Sequence, residues 1–216
     1  MKLKKAKNFI CAIDGGSASG KTTMAKLIGK KYKWSVLYSG LLFRYAAKKI
    51  IEKKPKKKIT FLKKIFSKIN YEKVKKLNLH TPDISAYSAI IAKNKDIRLI
   101  IKKFQKNYVL KKKLVVLEGR DQSQIFPYAN VKFFVVCKPI QIAAKRRWLQ
   151  IRKKNRNISL KEITKDLAKR DYLDKNRRHS PLVKAPDSWY INTAKLNIKK
   201  VLNRATKIID NELKKL

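Results

Sequence analysis

Residues 9–23, Phe9 to Thr23, read FICAIDGGSASGKTT. Phe9 to Ile13 is a short apolar run of strand type, closed by Asp14. The residues that follow, Gly15 to Thr22, fit G-x-x-x-x-G-K-[ST] at every fixed position, and Met24 to Ile28 carries helical apolar spacing. Strand, glycine-rich turn and helix, in that order, are the context this motif requires. Glycines let the backbone curl so that successive N–H groups point inward at a polyphosphate. The following helix offers its unpaired N–H groups and the positive end of its dipole to the same anion. Lys21 is placed to reach the β and γ phosphates, and the Thr22 hydroxyl to ligate Mg²⁺, mostly through water and phosphates. A glycine-rich turn with a chance lysine would not match all fixed positions and both flanks. Gly15, Gly16, Ser17, Ala18, Ser19, Gly20, Lys21, Thr22 and Thr23 therefore form the expected nucleoside-triphosphate site.

The 216 residues around this stretch suit one α/β domain with a small insertion. No run approaches the roughly 18 apolar residues of a membrane span. The start, MKLKKAKNFICAI, is basic and then briefly apolar, but Asp14 and the phosphate loop interrupt it before a secretory signal could form. A cytosolic (cytoplasmic) protein is expected. Cys11 and Cys137 lie in strand-like runs at a spacing that fits neither a zinc nor a redox motif, which points to buried reduced thiols. Charge is the unusual feature: 57 Lys and Arg stand against 14 Asp and Glu, a net +43. Such a surplus raises the prospect of nucleic acid or an anionic membrane. It is spread over nearly every segment rather than gathered in a patch, which favours compositional drift. No membrane and no specific nucleic acid are expected as partners, although non-specific, salt-sensitive anion binding is.

Along the chain, Val36 to Tyr38 reads as a strand, Ser39-Gly40 as a turn and Leu41 to Lys53 as a helix. A proline-broken link, Lys54 to Lys58, leads to one or two amphipathic helices over 59–77, with Leu62, Ile65, Phe66 and Ile69 on one face. Thr81-Pro82-Asp83 starts a helix to about Lys93, and Asp96 caps another. Leu114 to Leu117 is an apolar strand ending in Glu118-Gly119-Arg120-Asp121. Val131 to Cys137 is a further strand, and Pro139 opens a helix through Leu149. Ser159-Leu-Lys-Glu162 is a capping box for a helix to about Asp171. An irregular stretch follows over 173–187, then a strand at Trp189 to Ile191 and a C-terminal helix from about Leu196. Helices alternating with buried-type strands predict a parallel, doubly wound sheet.

The rarer charged residues mark the acceptor side. Against 46 lysines there are 11 arginines, and most of Arg44, Arg98, Arg120, Arg146, Arg147, Arg170 and Arg177 fall at strand ends or in nearby loops. A guanidinium fork suits bidentate phosphate binding better than an ammonium does. Asp14, Glu118, Asp121, Asp171 and Asp174 sit at strand ends or beside these arginines. Glu118 is placed either to accept from Mg²⁺-bound water or only to hold the phosphate loop. His80 and His179 read as solvated loop residues, and Trp34, Trp148 and Trp189 as core or rim packing.

IDGGSASGKTT, LYSGLLFR, LEGRD, VKFFV, AAKRRWLQ, KRDYLDKNRR and SPLVKAPD together resemble bacterial cytidylate kinase, in the same order and over nearly the whole chain. The resemblance implies a P-loop nucleoside monophosphate kinase fold, with a five-stranded parallel sheet flanked by helices. It implies a single domain over 1–216, with an NMP-binding insertion at about 54–95 and an arginine-bearing lid at about 146–170. It implies Mg²⁺-dependent transfer of the γ-phosphate of ATP to CMP or dCMP, giving ADP and CDP or dCDP, by a monomer. By the same resemblance Ser39 and Arg44 touch the monophosphate, while Arg98 and Asp121 read cytosine. A carboxylate accepts from the cytosine N4 amino group, which uracil lacks. Arg120 and Arg177 match arginines near the acceptor phosphate, and Arg170 and Asp174 match ribose contacts. Arg146, Arg147, Arg152 and Arg156 lie in or beside the lid. Lys21, Arg120, Arg146, Arg147 and Arg177 are the expected catalytic set. No general base is required, because the attacking atom is an anionic phosphate oxygen.

Three departures from the family pattern stand out. The insertion is a short, lysine-rich, helical segment; Ala89, beside Ser88, takes the place of a serine that touches the base; and Asn192 replaces an acid near the last strand. Rival readings are a kinase for another acceptor, such as UMP, and a basic ATP-using nucleic-acid-binding protein. The latter predicts aromatics interleaved with charge on one face, and the sequence shows no such stripe.

Overall fold

The computed structural model describes residues 8–152 and 158–216. The apolar run before the glycine-rich turn becomes strand β1 (Phe9–Gly15), buried at all seven positions. A strand that is apolar on both faces needs cover on both, which suits the middle of a parallel sheet. β3 (Leu114–Gly119) lies on one side of it, with Phe9 opposite Leu114 and Asp14 opposite Gly119. β4 (Val131–Val136) lies on the other, with Cys11 opposite Val131 and Gly15 opposite Val135. β5 (Trp189–Asn192) adds in parallel to β4. With β2 (Ser35–Tyr38), these form a five-stranded parallel sheet in the order β2-β3-β1-β4-β5. The chain leaves β1 in one direction for β2 and β3 and returns on its other side for β4 and β5. Ligand crevices of open α/β sheets lie at the strand C-termini beside such a reversal.

Ten helices occur among the described residues: α1 (Lys21–Tyr32), α2 (Ser39–Lys53), α3 (Lys58–Ser67), α4 (Tyr71–Lys75), α5 (Pro82–Ile91), α6 (Lys95–Lys112), α7 (Gln122–Ile125), α8 (Ile140–Arg152), α9 (Leu160–Asn176) and α10 (Ile198–Lys214). None is long and apolar enough to cross a membrane. The chain divides into two compact units, Met1–Val36 with Lys113–Leu216, and Leu37–Lys112.

In the first unit, Phe9, Ile13, Leu117 and Phe133 of the sheet are fully buried together with Met24 and Ile28 of α1. Val201, Ala205, Ile209 and Leu213 of α10 are buried at a spacing of four, one stripe of that helix. Cys137, Ala143, Ala144, Ile163 and Leu167 make a smaller core at α8 and α9. Cys11 and Cys137 are buried free thiols. In the second unit α2 packs on α5 and α3 on α6. Aromatic contacts run from Tyr45 to Phe66 (6.2 Å between centroids), on to Phe104 (6.0 Å), and between Tyr71 and Tyr108 (5.3 Å).

Element boundaries differ from the sequence reading most clearly at α2, α6, α7 and α9. α2 begins at Ser39, because extended Tyr38 already serves as its N-cap and no turn is needed. Asn94, not Asp96, caps α6: its side chain accepts the Ile97 N–H at 3.0 Å, while Asp96 lies in the first turn. The segment over 59–77 forms two helices, in keeping with the one or two expected, with the Asn70 side chain capping the second. α9 runs to Asn176, past the expected end at Asp171, because Asp174 has partners off the helix that reward another turn. The four-residue α7, which follows Asp121, has no local sequence signal: its first two N–H groups are held by the Asp14 carboxylate, 108 positions before Gln122. Ser159 and Glu162 form the expected capping box.

Candidate active site

The glycine-rich turn sits at the C-terminal end of β1, beside the reversal in strand order. A Cβ on Gly15 would lie 2.0 Å from the Val135 carbonyl oxygen of β4, so any larger residue would push the two strands apart. Gly20, the N-cap of α1, takes φ +90°, a left-handed conformation that glycine adopts without a steric penalty. Between them the backbone turns so that α1 starts at Lys21.

Lys21 is buried, and its Nζ donates to the Gly16 carbonyl at 2.7 Å, with Glu118 Oε1 of β3 at 3.7 Å. Burial is the largest influence on this ammonium and, with the positive charges of Arg120 and Arg170, brings its pKa down to about 7; Glu118 and Asp171 oppose the shift. A buried cation in this setting gains most from an arriving polyanion. Thr22 and Thr23, next on α1, are exposed.

Around the turn stand residues from β3, α9 and the segment after β5. Arg120 Nε donates to Asp174 Oδ2 at 2.8 Å, and Arg120 Nη2 to Ser17 Oγ at 3.3 Å. Arg177 Nη1 lies 3.4 Å from Asp174 Oδ1, and its Nε donates to the Ser180 carbonyl. Burial pushes the Asp174 carboxyl up, but Arg120, Arg177 and Arg170 outweigh it and hold it below the usual carboxylate range. Asp171 Oδ1 accepts the Ser17 N–H at 2.7 Å. Arg120, Asp174 and Arg177 are thus brought together at the phosphate loop.

Arg146 is held elsewhere. Its Nη1 donates to Thr193 Oγ1 at 3.1 Å and its Nη2 to the Thr193 carbonyl at 2.7 Å, while Thr193 Oγ1 donates to the Ser19 carbonyl at 2.9 Å. Arg146 therefore braces the phosphate loop through Thr193. Arg147 donates to Gln150 on its own helix, and the Arg152 guanidinium lies over Trp148 at 4.6 Å. Arg156 lies outside the described residues. Asp14 is buried and accepts the N–H groups of Gln122 and Ser123, each at 2.7 Å, which fixes the turn after β3. Asp121, in that turn, is buried and accepts from Gln122 Nε2 at 3.3 Å.

In the second unit, Ser39 is buried at the start of α2. Arg44 Nη1 donates to the Leu79 carbonyl at 3.1 Å and to Ser85 Oγ. Arg98 Nη1 donates to the Ala92 carbonyl at 2.9 Å, with its guanidinium 5.4 Å from the centre of the Phe43 ring. Ser88, next to Ala89, is buried and donates to the Ser85 carbonyl of its own helix. His80 is exposed and His179 half-buried. The sequence assigns no role to Thr193 and marks Asp171 only as a neighbour of arginines. Nothing local marks Thr193, whereas Asp171 directly follows Arg170.

A parallel sheet with a phosphate loop at its reversal point and a basic cluster at the same edge is the architecture of a phosphate-loop kinase. The profile of the family described as cytidylate kinase matches residues 11–211. A cytidylate kinase of Fervidobacterium nodosum is 34% identical over 209 residues, covering 92% of this chain and 94% of the relative. One of Clostridium tetani is 30% identical over 216 residues, covering 94% and 95%. A crystal structure of an uncharacterized protein from Eubacterium ventriosum superposes with a TM-score of 0.58 at 16% identity, covering 94% of this chain and 98% of that one, and shares the fold. The chain belongs to the cytidylate kinase family, and is accordingly a nucleoside monophosphate kinase, a phosphotransferase.

Proposed function

We propose that the enzyme transfers the γ-phosphate of Mg-ATP to CMP or dCMP, releasing ADP and CDP or dCDP, in the pyrimidine nucleotide metabolism of the cytoplasm. The observation that carries this reading is the placement of buried Lys21 and the Arg120–Asp174–Arg177 cluster around one glycine-rich turn. In the reaction, an oxygen of the acceptor phosphate attacks the γ-phosphorus and the bond to the β-phosphate oxygen breaks. The attacking oxygen is already anionic, so positioning and charge neutralisation suffice and no base is needed. Loop residues Gly15 to Thr23 hold the donor phosphates. Lys21, Arg120, Arg177 and the lid arginines Arg146 and Arg147 neutralise the charge on the transferred group. Ser39, Arg44, Arg170 and Asp174 hold the acceptor's phosphate and ribose, and Arg98 and Asp121 read its base. On this reading about 54–95 is the short acceptor-binding insertion and about 146–170 the lid, which excludes water when both nucleotides are bound.

Mg²⁺ fits the residues present. It keeps several waters and takes phosphate oxygens rather than an all-protein cage, and no group of three or more carboxylates, imidazoles or thiols able to hold a metal occurs among the described residues. Thr22, exposed at the first turn of α1, would be its protein ligand, and the ion would supply further charge neutralisation.

The deciding experiment is transfer from Mg-ATP to CMP, dCMP, UMP, AMP, GMP and a short RNA. Turnover on CMP and dCMP with little on the others is the expected result. Equal turnover on UMP would overturn the cytosine-reading roles of Arg98 and Asp121, and transfer to none would overturn the proposal.

A further inference from the structure

The peptide between Gly16 and Ser17 is held at both ends. Its carbonyl accepts from Lys21 Nζ at 2.7 Å, and its N–H donates to Asp171 Oδ1 at 2.7 Å. In a trans peptide these two groups point in opposite directions. Cation and carboxylate therefore face opposite ends of one peptide dipole, each at the end that attracts it. Turning the peptide over would set the N–H against the ammonium and the carbonyl against the carboxylate. The fit is steric as well: a Cβ on Gly16 would lie 2.6 Å from Asp171 Oδ2, so the carboxylate fills the room that any other residue at 16 would need. One turn along α9, Asp174 receives Arg120, whose Nη2 donates to Ser17 Oγ. Ser17 is thus gripped at its backbone by Asp171 and at its side chain by a partner of Asp174.

The Lys21 ammonium has three N–H groups, and donor phosphates compete for them with the Gly16 carbonyl. As the ammonium turns toward the donor its hold on that carbonyl weakens, while the Asp171 bond continues to fix the peptide. We propose that Asp171 is a positioning residue that keeps the Gly16–Ser17 peptide in its orientation while Lys21 engages the donor. It thereby makes the phosphate loop and α9, which carries Arg170 next to it, act as one rigid piece. The inference rests on the ATP-donor reading above.

The test compares wild type with Asp171→Ala, Asp171→Asn and Gly16→Ala, by amide exchange at Ser17 and by KM for ATP and for CMP. In Asp171→Ala, Ser17 exchange accelerates and KM for ATP rises about tenfold, the size of one net hydrogen bond, while KM for CMP moves less than about twofold. Asp171→Asn still presents an oxygen to the Ser17 N–H and returns KM for ATP to within about threefold of wild type. Gly16→Ala, which displaces the carboxylate by its methyl group, repeats the Asp171→Ala pattern and serves if that variant does not fold. Unchanged Ser17 exchange, an unchanged KM for ATP, or an Asn variant no better than Ala would each overturn the proposal. A wild-type enzyme that fails to use ATP would instead sink the donor reading, and Ser17 exchange would still report on the clamp.

Discussion

Asn192 makes three hydrogen bonds that an acid at the same position could not all make. Its Oδ1 accepts the N–H groups of Lys138 and Ala194, each at 3.1 Å, and its Nδ2 donates to the Lys138 carbonyl at 3.1 Å. The amide thus pairs with both faces of one residue after β4 and steers the chain out of β5, just before Thr193 braces the phosphate loop. An aspartate keeps the two acceptor roles but sets a charged oxygen against the Lys138 carbonyl. Asn192→Asp is expected to cost about 1 kcal/mol and to lower the melting temperature by about 2–4 °C for a chain of this size. Thermal unfolding at neutral pH measures it, and an unchanged midpoint would leave this bridge without energetic weight. Which site residues are legible from sequence follows the same physics. Gly15, Gly20 and Lys21 stand at fixed local spacing because one turn must curl around one anion. The partners of that turn, Asp171 and Thr193, lie 154 and 174 positions from the atoms they hold, so no local pattern shows these contacts, although Asp171 is at least marked by the Arg170 beside it.

Elements were legible where a helix or strand answers to its own residues. β1, β3 and β4 are apolar runs because both faces are buried, and Ser159 with Glu162 fixes the start of α9 from within four residues. Where an element ends for the sake of a distant partner, its sequence is silent: α9 continues to Asn176 past Asp171, and α7 exists because Asp14 accepts its first two N–H groups. That last contact has a pH signature. Burial is the largest influence on Asp14 and raises its pKa to about 6 in the folded protein, against the lowering effect of the two backbone N–H bonds. A carboxyl with a higher pKa folded than unfolded (about 3.9) binds more protons in the native state, so its contribution to stability falls as pH rises through that window. Comparing urea unfolding of wild type and Asp14→Asn between about pH 4.5 and pH 7.5 isolates this group. The stability advantage of the wild type should shrink as pH rises. An advantage that grows would show that the two N–H bonds, not burial, govern this carboxyl.

At the scale of the whole molecule the dominant fact is charge. With 57 cations and 14 anions, pairing every acid once still leaves a net +43. Ion pairs such as Lys48–Glu52 and Lys75–Glu72 are surface contacts within single helices, which contribute little each. The fold is therefore maintained against self-repulsion, by an apolar core that sequence periodicity made legible and in spite of a surface whose lysines carry no fold information. Repulsion between exposed charges is screened beyond a Debye length, which shortens from about 30 Å at 0.01 M salt to about 10 Å at 0.1 M. Added salt should accordingly stabilise this protein, the reverse of a fold held by surface ion pairs. The melting temperature is expected to rise by several degrees between those salt concentrations, while retention on immobilised RNA falls steeply over the same range as condensed counterions compete. A melting temperature that stays flat or drops would mean that the lysines are locally compensated. RNA retention that survives at the higher salt would mean that they form a built nucleic-acid surface rather than a diffuse positive field.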